Sequence, residues 1–351
     1  MKIIHFIGGA RPNFIKIAPL LKLFEKENNI KSVFINTGQH YDKSLSENII
    51  KDLGLRKPDL NLGIGSNSQI NQISNIMIKY EKYLKSNKPT LVIVFGDVNS
   101  TIAAALTAKK NGIRVAHVEA GLRCYDNELP EEINRRLTDS ISDILFTPSI
   151  IENKNLEKEN IKKNVFFVGN IMIDSLVQFF KKNKMKTKYL DIDCIITLHR
   201  PENVDCENQL RNIINKIKEW SKFYKILFPI HPRTKHNLVK FNLLKELEKI
   251  SNLISIPPLN YSEFLIQLKE SKFIITDSGG IQEESSFLKV PCFTLRKNTE
   301  RPITISMGTN KLIKINSVRL STKSKGMKIK RIPKWDGKTS ERILKIIKKF
   351  I

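Results

Sequence analysis

The sequence has little that would make it a disulfide scaffold, a zinc protein or a membrane protein. Its cysteines, Cys124, Cys194, Cys206 and Cys292, form no CxxC and no metal-like spacing, and they read as reduced thiols of a cytoplasmic protein. His199 and His231 share no ligand spacing, so no metal is expected. No apolar run approaches the length of a membrane span, and the apolar start Met1-Lys-Ile-Ile-His-Phe-Ile-Gly is ended by glycine too early for a secretory leader. There is no GxGxxG fingerprint, no GxSxG elbow and no evident Cys and His pairing, which argues against acyl transfer. Acidic residues are scarce: 35 Asp and Glu against 60 Lys and Arg leave a formal charge of +25. The excess has no aromatic-interleaved stripe and no nucleic-acid motif. It reads as a solvated lysine surface that also draws in anionic small ligands, with no nucleic-acid partner.

What is present is an alternation of short apolar runs and helical patterns over 351 residues, enough for two domains. Residues 90–95, Thr-Leu-Val-Ile-Val-Phe, are apolar and β-branched and too short for a helix; they run into Gly96-Asp97 and an alanine-rich helix pattern. Similar runs fall at 2–7, 31–36, 114–118, 143–148 and 165–170, and the pattern restarts at 193–198, 225–230, 253–257, 272–276 and 291–296. Residues 44–88 read as two helices joined by a glycine-bearing loop at 60–66. Two such halves predict two doubly wound Rossmann-like domains facing a central cleft: 1–170, 171–334, and a helix at 335–351 returning to the first. Gly169 and Asn170 read as the hinge.

In a wound sheet the turn after each strand faces the ligand. That places Asp97, Glu119 and, at a helix start after Pro130, Glu131 on one rim as carboxylates for proton transfer. Each also has a plainer reading: Asp97 as a helix cap, Glu119 as a partner of Arg123, Glu131 as a complement to a helix dipole. Gly8-Gly-Ala-Arg-Pro12 before a helix is a place for phosphate on backbone N–H groups, with Arg11 and Lys16 in reach, although Lys16 reads equally as helix surface. His40 lies on a further turn. Asp277-Ser-Gly-Gly-Ile-Gln-Glu-Glu284 carries more information, because Ser278, Gly279 and Gly280 let a phosphate approach a helix start and Glu284 can reach a ribose hydroxyl. The residues alone thus describe an anionic-ligand enzyme with carboxylate acid and base groups.

Taken together, Gly8-Gly-Ala-Arg-Pro12 with Lys16, Gly96-Asp-Val-Asn-Ser100, His117-Val-Glu-Ala-Gly-Leu-Arg123, Pro130-Glu-Glu-Ile-Asn-Arg135, Asp277 to Glu284 and Thr299-Glu-Arg-Pro302 resemble the non-hydrolysing UDP-N-acetylglucosamine 2-epimerases. The resemblance implies a glycosyltransferase-B type fold, a homodimer, no cofactor, and interconversion of UDP-N-acetylglucosamine and UDP-N-acetylmannosamine through elimination and re-addition of UDP, for surface polysaccharide precursors. It implies Asp97, Glu119, Glu131 and His199 as the catalytic set. Arg11, Lys16 and Arg301 would hold phosphate, Ser278, Gly279 and Gly280 the diphosphate, Glu284 the ribose, and Phe264 would border the uracil. The chain departs from the family pattern at Asn13, where many members have glutamate, at His199-Arg-Pro-Glu202, and at Tyr41 and Asp42. A 2-epimerase of a UDP-2,3-diacetamido-uronic acid, a hydrolysing 2-epimerase, a glycosyltransferase of the same fold and a non-catalytic nucleotide-sugar binder are the alternatives.

Overall fold

The computed structural model describes residues 1–38, 49–65, 67–182, 186–315 and 330–351. These fall into two compact units, one made of Met1–Lys182 with Pro333–Ile351 and the other of Asn183–Ile332. His40, Tyr41 and Asp42 lie outside the described residues.

The first unit is built on seven strands: β1 (Lys2–Gly8), β2 (Ile30–Asn36), β3 (Leu60–Asn61), β4 (Leu91–Phe95), β5 (Arg114–Val118), β6 (Ile144–Thr147) and β7 (Val165–Phe167). They lie in the order β3-β2-β1-β4-β5-β6-β7 with every pairing parallel. Parallel neighbours need a crossover, which is why helices alternate with strands: α1 (Arg11–Phe24), α2 (Gln69–Leu84), α3 (Asn99–Lys110), α4 (Pro130–Ile141), α5 (Ile150–Lys158) and α6 (Ile171–Lys182). β4 is buried at all five residues because helices cover both faces of the sheet. The alanines of α3 let it pack close to the sheet, among Val92, Val94 and Val115. Chain order reverses between β1 and β4, so their turns flank the switch point where wound sheets take ligands.

The second unit repeats the plan with six parallel strands: β8 (Cys194–Thr197), β9 (Ile226–Pro229), β10 (Leu253–Ile256), β11 (Phe273–Thr276), β12 (Cys292–Thr294) and β13 (Asn310–Leu312). Their order is β10-β9-β8-β11-β12-β13, which puts the switch point between β8 and β11. The helices that matter below are α7 (Pro201–Val204), α8 (Glu207–Trp220), α9 (Pro232–Lys240), α10 (Leu244–Glu248), α11 (Tyr261–Glu270), α12 (Gly279–Leu288) and α13 (Ile303–Ser306).

Three expectations need correction. The loop foreseen at 60–66 begins with β3, whose two residues pair with Ile35 and Asn36 at the sheet edge and are too few to show a period. The first unit runs on to Lys182 rather than closing after Asn170, because α6 packs on α1 and on the last helix, α14 (Thr339–Ile347). Asp174 of α6 takes the Thr339 N–H at 3.0 Å, and the Ser340 N–H at 2.7 Å and hydroxyl at 2.6 Å, capping α14. Gly169 is a point of close approach rather than a hinge: a Cβ there would stand 2.1 Å from the Lys334 carbonyl oxygen.

Candidate active site

At the first switch point β1 ends at Gly8 and α1 begins two residues beyond Gly9. Asn13 Oδ1 accepts the N–H groups of Gly9 and Ala10 at 3.3 and 3.1 Å, and its Nδ2 donates to the Phe95 carbonyl at 2.9 Å. One buried amide therefore stitches the β1 turn to the end of β4. Two of the N–H groups expected to cradle phosphate are consumed in this way, and Pro12 has none, so this helix start offers a phosphate less than its sequence suggests. Arg11 is exposed at the start of α1.

Lys16 is not a surface lysine. It is buried in the second turn of α1, and its ammonium is ion-paired with Glu119, also buried. Glu119 follows β5 with a backbone φ of 75°, a left-handed value that a glutamate seldom adopts. The N–H groups of Glu119 and Ala120 both donate to the Phe146 carbonyl at 3.0 Å, which holds that conformation. A Cβ at Gly96 would sit 2.8 Å from Lys16 Nζ and 3.2 Å from Glu119 Oε2, so the β4 turn passes directly against the pair. His117 ties the β4 and β5 turns together, its Nε2 facing the Gly96 carbonyl at 2.8 Å and its Nδ1 the Asp139 carboxylate at 2.7 Å. Asp139 also takes the Gly121 N–H at 3.0 Å and Arg123 Nη1 at 2.8 Å. Burial alone would raise the Asp139 pKa, but His117 and Arg123 outweigh it and hold it below the usual carboxylate range. Arg123 completes its contacts with Glu159 at 2.6 Å; it is Lys16 that pairs with Glu119.

Asp97 is not a helix cap, since Val98 occupies that position before α3. Its carboxylate receives Arg135 Nε at 2.9 Å and Nη2 at 2.6 Å, and its carbonyl receives Asn134 Nδ2 at 2.9 Å. Arg135 is shared with Glu132, at 2.6 Å, which also takes the N–H groups of Cys124 and Tyr125 at 3.1 and 3.2 Å. Glu132 is thus the acid that builds the loop. Glu131 is half-buried in the first turn of α4, on the face it shares with Asn134 and Arg135, and has no hydrogen-bond or ion-pair partner among the described residues.

The second unit centres on Asp277, fully buried at the end of β11. It accepts the N–H groups of His199 at 3.0 Å and Arg200 at 2.9 Å, Asn203 Nδ2 at 3.0 Å, and lies 2.9 Å from His199 Nδ1. This binds the β8 turn to the β11 turn across the switch point. Arg200 Nε reaches the Asp277 carbonyl at 3.1 Å, and the His231 ring lies 5.2 Å from that of His199. Immediately beyond, Ser278, Gly279 and Gly280 are half-buried at the start of α12, where a helix leaves N–H donors unsatisfied and favours an anion. Arg301 lies against that start, ion-paired with Glu300 and, at 3.1 Å, with Glu283. Glu284 is buried and accepts the Tyr261 hydroxyl at 2.9 Å. Phe264 is a core side chain, packed with Ile195, Leu227, Leu268 and Ile274. Among the described residues no cluster of three His, Cys, Asp or Glu side chains is arranged for a metal ion.

Burial alone would raise the pKa of Asp277, but His199, the Arg200 N–H and Asn203 hold it below the ordinary carboxylate range. A carboxylate with a depressed folded-state pKa contributes stability in full above its unfolded value of about 3.9 and loses it as pH falls through the folded value. Thermal midpoints taken from pH 7 to pH 3 should therefore fall more steeply below about pH 4 in the native protein than in Asp277→Asn; equal slopes would deny Asp277 this role.

Two doubly wound parallel units, one with carboxylates at its switch point and one with an anion-seeking helix start ringed by arginine and histidine, define an α/β enzyme for a phosphorylated substrate. The sequence model of the UDP-N-acetylglucosamine 2-epimerase family matches residues 22–348, and the chain belongs to that family, whose members are isomerases. It is 42% identical to the UDP-N-acetylglucosamine 2-epimerase of Methanocaldococcus jannaschii, over 98% of each chain. It is 36% identical to a UDP-2,3-diacetamido-2,3-dideoxy-D-glucuronate 2-epimerase of Pseudomonas aeruginosa, over 89% of this chain and 88% of that one. The crystal structure of the M. jannaschii epimerase in complex with UDP-GlcNAc and UDP superposes with a TM-score of 0.88 at 40% identity, over 99% of this chain and 100% of the other.

Proposed function

We propose that this protein is a non-hydrolysing UDP-N-acetylglucosamine 2-epimerase that interconverts UDP-N-acetylglucosamine and UDP-N-acetylmannosamine. The observation that carries the reading is the set of carboxylates at the first switch point, with Glu119 braced by Lys16, Asp97 by Arg135, and Glu131 beside them. The C2 hydrogen of the sugar has no ring carbonyl beside it to hold a carbanion. A carboxylate must take that proton as the C1–O bond to UDP breaks, so that the C–H electron pair becomes the C1=C2 bond of a 2-acetamidoglucal. UDP departs as an anion, and re-addition with a proton delivered to the other face of C2 completes the inversion. Asp97, Glu119 and Glu131 are the acids and bases of these steps.

The second unit supplies the groups that stabilise the departing diphosphate: the N–H groups of Ser278, Gly279 and Gly280, with Arg301, Arg200 and His199 around them. Arg11 and Lys16 are further candidates to hold phosphate, and Glu284 binds the ribose. The α11 end that carries Tyr261 and Phe264 borders the base. The protein acts in the cytoplasm, on precursors of surface polysaccharide, and as a homodimer. In support of the dimer, Ile70 and Ile78 of α2 and Ile133 and Leu137 of α4 are exposed, apolar side chains that a second copy would cover.

Proton NMR of UDP-N-acetylglucosamine with the protein in deuterated water tests the reading. UDP-N-acetylmannosamine carrying deuterium at C2 is the expected product; free N-acetylmannosamine with UDP would make the enzyme hydrolytic, and turnover of only the diacetamido-uronic acid nucleotide would change the sugar. Gly279→Ala should weaken UDP binding about tenfold, roughly 1.4 kcal/mol. Its Cβ would stand 2.6 Å from Arg301 Nη1 and 2.7 Å from Glu300 Oε1, displacing the arginine from the helix start. Calorimetric titration with UDP checks this, and unchanged affinity would place the diphosphate elsewhere.

A further inference from the structure

Besides its ion pair, Asp97 is held by a second network that contains no charge. Asn134 Nδ2, already on the Asp97 carbonyl, also donates to Asn99 Oδ1 at 3.2 Å; Asn99 Nδ2 donates to Gln72 Oε1 at 2.9 Å; Gln72 Nε2 donates to the Gly65 carbonyl at 3.0 Å. The three residues are buried and come from three helices, α4, α3 and α2. The direction of the chain is forced. A backbone carbonyl can only accept, so Gln72 must turn its NH2 to Gly65 and its oxygen to Asn99, which must do the same toward Asn134. Asn134 then presents its NH2 both to Asn99 and to the Asp97 carbonyl, and neither end can reverse. Beyond Gly65 the brace is anchored in the sheet edge, where Gly65 donates to the Gly38 carbonyl at 2.7 Å and Ile64 to that of Thr37 at 3.1 Å.

We propose that Gln72, Asn99 and Asn134 are positioning residues for the epimerisation, a buried amide relay that fixes the Asp97 peptide and the first turns of α4, with Glu131, to the loop at 62–65. The proposal rests on the epimerase reading. Its physical point is that amides do not titrate. Arg135 holds the Asp97 carboxylate through charge, and that grip weakens whenever the carboxylate takes up a proton; the relay holds the peptide unchanged through the cycle. A fully satisfied buried network is rigid, and losing one member leaves its neighbours unpaired.

Gln72→Met tests this, because Gln72 stands at the far end of the chain, three hydrogen bonds from the Asp97 peptide. The expected result is a fall in kcat of about tenfold with KM within about twofold, since a small misplacement of a reacting group is costly while binding groups stay put. Amide hydrogen exchange across residues 96–101 should accelerate in the same variant. Asn134→Ala should show a loss of the same kind, and the double variant should lose no more than the worse single one, as expected when both break one chain. Wild-type kcat and exchange in Gln72→Met, or losses that multiply in the double variant, would overturn the relay. If Gln72→Met does not fold, Gln72→Glu keeps volume and acceptor but, when ionised, has no donor for Gly65, and is read by the same criteria above about pH 8. Exchange needs no turnover, so a native protein that epimerises no UDP-sugar defeats the functional reading alone, while the exchange comparison still decides whether the relay holds the Asp97 turn.

Discussion

Asp97→Asn should lower kcat for UDP-N-acetylglucosamine by roughly 10³-fold, within the range by which a positioned acid or base accelerates proton transfer. The substitution keeps the shape of the side chain and one oxygen for Arg135, while the Asn134 bond goes to the backbone and is untouched. Arg135 retains Glu132 as a carboxylate partner, so no buried cation is stranded. The fold should therefore survive with a loss of about 1 kcal/mol, the scale of one hydrogen bond. Steady-state kinetics beside a thermal melt separate the two effects. A kcat within tenfold of the native value would remove Asp97 from the chemistry and leave it a structural residue of the β4 turn.

The second large effect falls on stability. Lys16 and Glu119 are buried together, and breaking a buried ion pair by removing one member costs about 3–5 kcal/mol. Lys16→Met and Glu119→Gln should each be destabilised by about that much in urea unfolding. The double variant should regain much of it, because nothing charged is left behind, yet it should have no measurable turnover, because proton transfer has lost an acid and leaving-group departure a cation. Additive destabilisation in the double variant would mean that the two side chains do not depend on each other. The contrast with Asp97 follows from solvent: Asp97 is only half-buried and its cation has a second partner.

How much of this was legible in the sequence depended on the distance over which each residue acts. β4 could be read because five successive apolar residues, buried on both faces, have few other fates. β3 and β13 could not, being two and three residues long with polar members, and held by pairing rather than by pattern. The turns that carry Asp97 and Glu119 were legible because they follow strands, a local signal. The burial of Lys16 was not, because a lysine inside an apolar helix face looks like a surface residue until its partner, 103 residues later, is placed beside it. Asn13 stood out only as a departure from the family pattern; its task of closing the β1 turn and reaching Phe95 is invisible without the fold. Glu131 and Glu132 are adjacent and alike in sequence, and only helix geometry turns one toward the Cys124 loop and leaves the other available. At β11 the small residues after Asp277 drew notice, while Asp277, which organises His199, Arg200 and Asn203, read only as the end of a strand.

The carboxylate of Asp174 reaches across more than 160 residues of sequence to cap α14. Because a chain leaves the ribosome N-terminus first, the sheet of the first unit is complete long before the helix that covers α1 and α6 exists. Throughout synthesis of residues 183–332 that surface lacks its cover, and Asp174 is solvated. The second unit has all its parts before the first receives its last one. A chain ended near residue 332 and released from the ribosome should therefore have every strand of its C-terminal unit while its N-terminal unit stays open to chaperones and proteases, so the sheet made first is the last to be sealed.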